Sequence, residues 1–135
     1  MQAQTISLVQ STWKQVAAIA PQAAALFYSN LFEADPSLKP LFKGDMEEQG
    51  KKLMQMIGAA VGKLDDLPTL VPILQNMGRR HVGYGVKPEH YDTVGGALLK
   101  TLQQGLGEAF TPEVKAAWAE VYGVMAKVMI EASAA

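Results

Sequence analysis

The chain has 135 residues, about half of them apolar, a formal net charge of −1 and no cysteine. That length suits one domain with a core of its own, so residues 1–135 are read as a single domain. Disulfides, thiolate metal sites and cysteine nucleophiles are excluded by composition, and the near-neutral charge offers no bulk attraction to nucleic acid or to an anionic membrane.

Met1-Gln2-Ala3-Gln4-Thr5 does not combine a basic segment with an apolar core, so it does not read as a signal peptide. No run reaches the roughly 18 apolar residues of a membrane span, and a cytoplasmic location is the expectation that remains. The apolar period is helical from there on. Ile6, Val9, Trp13 and Val16 form a stripe over about residues 4–20. Pro21 suits the first position of a second helix, whose inner face carries Ala24, Phe27, Tyr28 and Leu31. Asp35-Pro36 starts a short turn of helix that ends near Pro40-Leu41-Phe42.

Lys43-Gly44 reads as a loop, and Asp45 with Glu48 as a helix-start pair. The helix over 46–63 aligns Gln49, Leu53, Met56, Ile57 and Ala60. Asp65-Asp66-Leu67-Pro68 breaks it. Thr69 is expected to cap the next helix, with Pro72 in its first turn and Leu70, Ile73, Leu74, Met77 and His81 on one face. Gly83-Tyr84-Gly85-Val86 reads as a turn. Pro88 opens a helix with Tyr91, Val94, Leu98, Leu102 and Leu106 inward, and Thr111-Pro112 opens the last, with Val114, Trp118, Val121, Met125, Val128 and Met129 inward. No period-two run is long enough for a strand. The fold class is therefore all-α, six or seven helices of unequal length.

Five residues on these stripes bring chemistry. His81 ends an apolar stripe; position alone favours a core histidine bonded to a carbonyl, and the carbonyl four residues earlier, on Met77, is placed to hold its second nitrogen. Gln49 puts an amide, and Tyr28 a hydroxyl, on otherwise apolar faces, where an unpaired polar group costs about 1–3 kcal/mol. Phe42 could clamp a flat apolar object, and Tyr91 follows His81 by ten residues. Taken singly, Phe42 and Tyr91 read equally as core, and Tyr28 and Gln49 as boundary residues. His90 reads as a solvent-facing residue or a cap.

In chain order, the segments Phe27-Tyr28-Ser29-Asn30-Leu31-Phe32, Pro40-Leu41-Phe42, Gln49-Gly50-Lys51-Lys52-Leu53, Gly78-Arg79-Arg80-His81 and His90-Tyr91-Asp92-Thr93-Val94-Gly95 resemble those of globins. The resemblance runs from about residue 5 to 130. It is strongest to single-domain bacterial globins allied to flavohaemoglobins, and to thermophile globins of the Hell's Gate type. The Gly-Arg-basic-His pattern and Ala117-Trp118…Tyr122-Gly123 are shared with neuroglobin. It implies a globin fold of six to eight helices around haem b (iron protoporphyrin IX). His81 would be the proximal iron ligand, and Tyr28 and Gln49 the distal hydrogen-bond donors, with Leu53 over the iron. Phe42 would pack on the haem, and Phe27, Ile57, Leu74, Met77, Val86, Tyr91 and Val94 would line the pocket. Lys52 would face a propionate, a place that a solvated lysine fills equally well.

The function so implied is reversible binding of O2, and by extension NO and CO, without nucleic acid or membrane as partner. The alternative is a nitric oxide dioxygenase fed by an external reductase, since no reductase domain is expected after Ala135. In flavohaemoglobins a proximal glutamate joins the histidine and the tyrosine. Here Ser133 falls at that place and Glu131 two residues earlier, so peroxidase-like chemistry is expected to be weak. A haem-free helical groove with adaptable methionines is the remaining reading, but Met56, Met77, Met125 and Met129 fit the inward stripes.

Overall fold

The computed structural model describes residues 2–42, 44–83 and 85–134. These form six α-helices: α1 (Ala3–Ala17), α2 (Ala20–Ala34), α3 (Met46–Gly62), α4 (Leu67–Gly83), α5 (Pro88–Leu106) and α6 (Pro112–Ala134). Two 3-10 turns, Pro36–Leu41 and Gly107–Ala109, complete the order, and no strand occurs among the described residues. The class is all-α, as the apolar period requires. Lys43 and Tyr84, members of the two expected loops, lie outside the described residues.

Local chemistry sets the boundaries. Pro21 stands in the first turn of α2, where its missing N–H leaves no bond unmade. Asp35 ends α2 in an extended conformation, as a residue before proline must, and its carboxylate accepts from Ser37 N–H at 3.1 Å. Asp45 caps α3, accepting from Glu47 N–H at 2.9 Å. Thr111 caps α6 through its hydroxyl, which accepts from Val114 N–H at 3.2 Å. His90 is a cap rather than a free surface residue: its Nδ1 accepts from Lys87 N–H at 3.0 Å at the start of α5.

Four expectations are corrected around α4. The helix begins at Leu67, not at a Thr69 cap, because the N–H groups of Thr69 and Leu70 already bond back to Asp66. Pro72 consequently lies inside the helix, where it removes one backbone donor. Ile73 is 42% exposed, so the buried stripe is Leu70, Leu74 and Gly78. Gly83 is still helical, and the turn follows it. There the N–H of Gly85 (φ +86°) bonds to Val82 O at 3.1 Å and that of Val86 to His81 O at 3.0 Å. This paired closure at a left-handed glycine satisfies carbonyls that a helix end otherwise strands.

The core lies between α1, α2, α5 and α6, with α4 packed along α6 and α3 across α2. Trp118, Leu31, Leu64, Leu70, Leu102, Val9 and Val121 are the largest fully buried side chains. Trp13 and Trp118 lie 6.1 Å apart between α1 and α6. The buried Thr12, Asn30 and Thr101 side chains are paired. Trp118 Nε1–H donates to Thr12 Oγ1 at 2.9 Å, and the Thr12 hydroxyl donates in turn to Leu8 O at 2.7 Å. Asn30 donates to Thr101 Oγ1 (3.0 Å) and Gln104 Oε1 (2.9 Å), tying α2 to α5. Among the described residues, no helix is long and apolar enough to cross a membrane.

Candidate functional site

His81 stands in the last turn of α4, half-buried at the end of the Leu70–Leu74–Gly78 stripe. Its Nδ1 lies 2.6 Å from Met77 O. A carbonyl only accepts, so Nδ1 carries a proton, the arrangement that leaves Nε2 as the metal-ligating nitrogen of a neutral imidazole. Val86 is brought back towards this turn by its bond to His81 O.

Tyr91, near the start of α5, lays its ring beside the imidazole, with centroids 6.3 Å apart and planes 28° from parallel. Its backbone carbonyl is held by Tyr122 O–H from α6 at 2.7 Å. The Tyr91 hydroxyl is buried and has no hydrogen-bond partner among the described residues, an omission that costs about 1–3 kcal/mol. Burial raises the Tyr91 phenol above its ordinary pKa, and raises that of Tyr122 further, with Tyr91 and Asp92 adding to the effect.

Tyr28 is buried on α2 within an aromatic cluster. Its ring meets Phe27 edge-on at 5.4 Å, Phe42 edge-on at 5.4 Å, and Phe32 stacked at 6.0 Å. Burial also raises the Tyr28 phenol, which keeps it a donor through neutral pH. α3 closes on α2 at Gly50, where an added Cβ would lie 3.0 Å from Ala24 Cβ and 3.9 Å from the Tyr28 ring. That close approach sets Gln49, the adjacent residue, beside the helix that carries Tyr28. Leu53 and Ile57 follow Gln49 on α3, and with Phe27, Trp13 and Leu98 they line a small apolar cavity. Met77, Val94, Val86 and Phe42 are half-buried against the core, Leu74 is fully inside it, and Lys52 is exposed.

The expected residues thus fall into two groups, His81 with Tyr91 and Val86, and Tyr28 with Phe27 and Phe42, while Gln49 adjoins the α2 contact at Gly50. Phe32 and Tyr122 stand in the segments that carry the resemblance, but sequence reading gave neither a place beside the site. Phe32 sits four residues after Tyr28, a helical neighbour whose ring could have been paired with it from spacing. Tyr122 had no such signal, because its partner is a backbone carbonyl on another helix.

These side chains fit a haem. The carbonyl-held Nδ1 of His81 suits an iron ligand, the Tyr91 hydroxyl is a buried polar atom awaiting a partner, and the cluster around Tyr28 is apolar and aromatic. Among the described residues no three His, Cys, Asp or Glu side chains cluster as a protein-only metal cage. An all-helical fold with a carbonyl-held histidine beside a buried tyrosine is compatible with a haem-binding class of protein. A sequence model of the Globin family matches residues 25–129, most of the chain, and the chain belongs to that family. It is, in general terms, a haem-based gas-binding protein.

Proposed function

We propose that residues 1–135 act as one globin domain that holds haem b through Nε2 of His81 and binds O2, NO and CO reversibly on the opposite face. The haem, when bound, supplies an iron atom with one open position for a diatomic gas. The chain's residues do the rest. Met77 O orients the imidazole, and the Tyr91 ring supports it from the side. Phe42, Phe27, Leu53 and Ile57 exclude water, while Tyr28 and Gln49 donate hydrogen bonds to a gas ligand. Lys52 is free to meet a propionate from the surface. The resemblance of Gly78-Arg79-Arg80-His81 and of the Tyr28/Gln49 pair to single-domain bacterial globins, the thermophile Hell's Gate type included, supports a cytoplasmic setting of that kind.

The observation that carries this reading is the 2.6 Å contact of His81 Nδ1 with Met77 O. A neutral carbonyl acceptor leaves the imidazole an ordinary ligand rather than an electron-rich one. Ser133 spends its hydroxyl on Ile130 O at 2.7 Å, and Glu131 is exposed. Both facts favour ligand binding over bond cleavage. Nitric oxide oxygenation at the same pocket would need an external reductase for repeated turnover.

The test is His81→Gly. Haem retention and the parental absorption spectrum should be lost, and added imidazole should restore them. A variant with the parental spectrum and no imidazole would end the proposal.

A further inference from the structure

α6 is the common seat of the two helices that carry the His81 side of the site. On α4, Gly78 precedes His81 by three residues, and a Cβ there would lie 2.7 Å from Met129 Cα and 2.8 Å from its carbonyl carbon. These are backbone atoms of α6 and cannot swing aside. On α5, Gly95 follows Tyr91 by four residues, and a Cβ there would lie 2.7 Å from the Tyr122 ring. That ring is itself anchored, since Tyr122 O–H is bonded to Tyr91 O at 2.7 Å. Gly83 on α4 and Gly96 on α5 have nothing within 4 Å of the same position. On α4 and α5, contact closer than ordinary van der Waals spacing is therefore found only at the glycines on the same helix face as the imidazole and the phenol, Gly78 and Gly95. Glycine weakens a helix interior relative to alanine, so each of these sites trades helix stability for close approach.

We propose that Gly78 and Gly95 are positioning residues: they seat α4 and α5 directly on α6, and α6 thereby sets how the His81 imidazole meets Tyr91 and the haem iron. The inference rests on the reading that His81 is the iron ligand. Transmission is short. His81 Nδ1 is bonded to Met77 O, the carbonyl next to Gly78, so the ring moves with the backbone at the contact. An alanine at 78 needs ordinary van der Waals spacing of at least 3.4 Å, which parts α4 from α6 by roughly 1 Å at that level. The imidazole, less than one turn further on, is carried with it.

The experiment uses the haem-loaded full chain and reads the iron–histidine stretching frequency of the ferrous, ligand-free form by resonance Raman, alongside O2 dissociation. Gly78→Ala should shift the frequency and change the dissociation rate severalfold, whereas Gly96→Ala should leave both as in the parent. The same Gly78→Ala change is then placed in His81→Gly loaded with exogenous imidazole. There the ligand is no longer tethered to α4, so the iron–imidazole frequency should not move. A shift that persists without the tether, or no shift with it, overturns the proposal.

Should Gly78→Ala not accumulate folded, Gly95→Ala is the milder probe, because its clash is with a side chain. It should shift the frequency of the tethered protein, and an unshifted frequency overturns the proposal. The two readings fail separately. His81→Gly with a parental spectrum in the absence of imidazole defeats the iron-ligand assignment, while normal His81→Gly behaviour with unmoved frequencies defeats only the role of the glycines.

Discussion

At the residue scale, the proposed function makes single polar atoms testable one at a time. Tyr28 is held by three aromatic neighbours, so Tyr28→Phe keeps the cluster and removes only the hydroxyl. A hydrogen bond to a charge-bearing ligand is worth about 1.5–3 kcal/mol. The expected outcome is O2 release roughly ten- to a hundredfold faster, measured by stopped-flow displacement with CO; CO release should change less. Thr12 shows the same logic inside the core. Thr12→Val keeps the shape but deprives Trp118 Nε1–H of its acceptor, which should cost about 1–3 kcal/mol in urea unfolding, whereas Thr12→Ser should recover most of it. The apolar stripes through Val9, Trp13, Leu31 and Trp118 are legible from spacing alone. Thr12 and Asn30 are not, because a polar residue beside a stripe looks the same whether it reaches water or a partner on a distant helix. Their partners lie 106 and 71 residues away in sequence.

At the element scale, the helix starts were readable wherever a side chain or a proline makes them. Asp45, Thr111, Pro21 and Pro88 all act where the sequence places them. The start of α4 was not, because Pro72 draws attention as a breaker while the N–H groups of Thr69 and Leu70 are already spent on Asp66. That one-turn extension does not bring Ile73 to the core; it stays outside because α6 faces the Leu70–Leu74–Gly78 line. Asp45 is the cap with the most consequence, since it starts α3 one turn before Gln49. Asp45→Ala should destabilise by about 1 kcal/mol, read by chemical unfolding. It should also speed amide hydrogen exchange at Glu47, the donor it now satisfies. Unchanged exchange at that amide would show that the cap does not hold the helix end.

At the scale of the whole molecule, three buried phenols link the fold to alkaline pH. Tyr28, Tyr91 and Tyr122 all have their pKa raised by burial, Tyr122 the most. A raised native pKa means that the native state keeps its proton after the unfolded chain has lost it. Stability is therefore full below the ordinary tyrosine value near 10 and declines as pH rises beyond it. Each phenol that ionises only on unfolding adds a slope of about 1.4 kcal/mol per pH unit. Urea midpoints should be level from neutrality to about pH 10 and fall above it, and Tyr122→Phe should flatten that fall more than Tyr28→Phe. The overall all-α plan was legible because the 3.6-residue period runs through every helix; how the helices cross was not, since the Gly78–Met129 and Gly95–Tyr122 contacts join segments with no shared local pattern.

The indole pair carries one more consequence. Trp13 and Trp118 are the chain's only tryptophans and sit side by side between α1 and α6, with Trp13 also bordering the apolar cavity beside Leu53 and Ile57. Tryptophan emission from this protein therefore originates at a single spot beside that cavity. Porphyrin departure should register there as one concerted brightening, so cofactor exchange can be timed by light without labelling the chain.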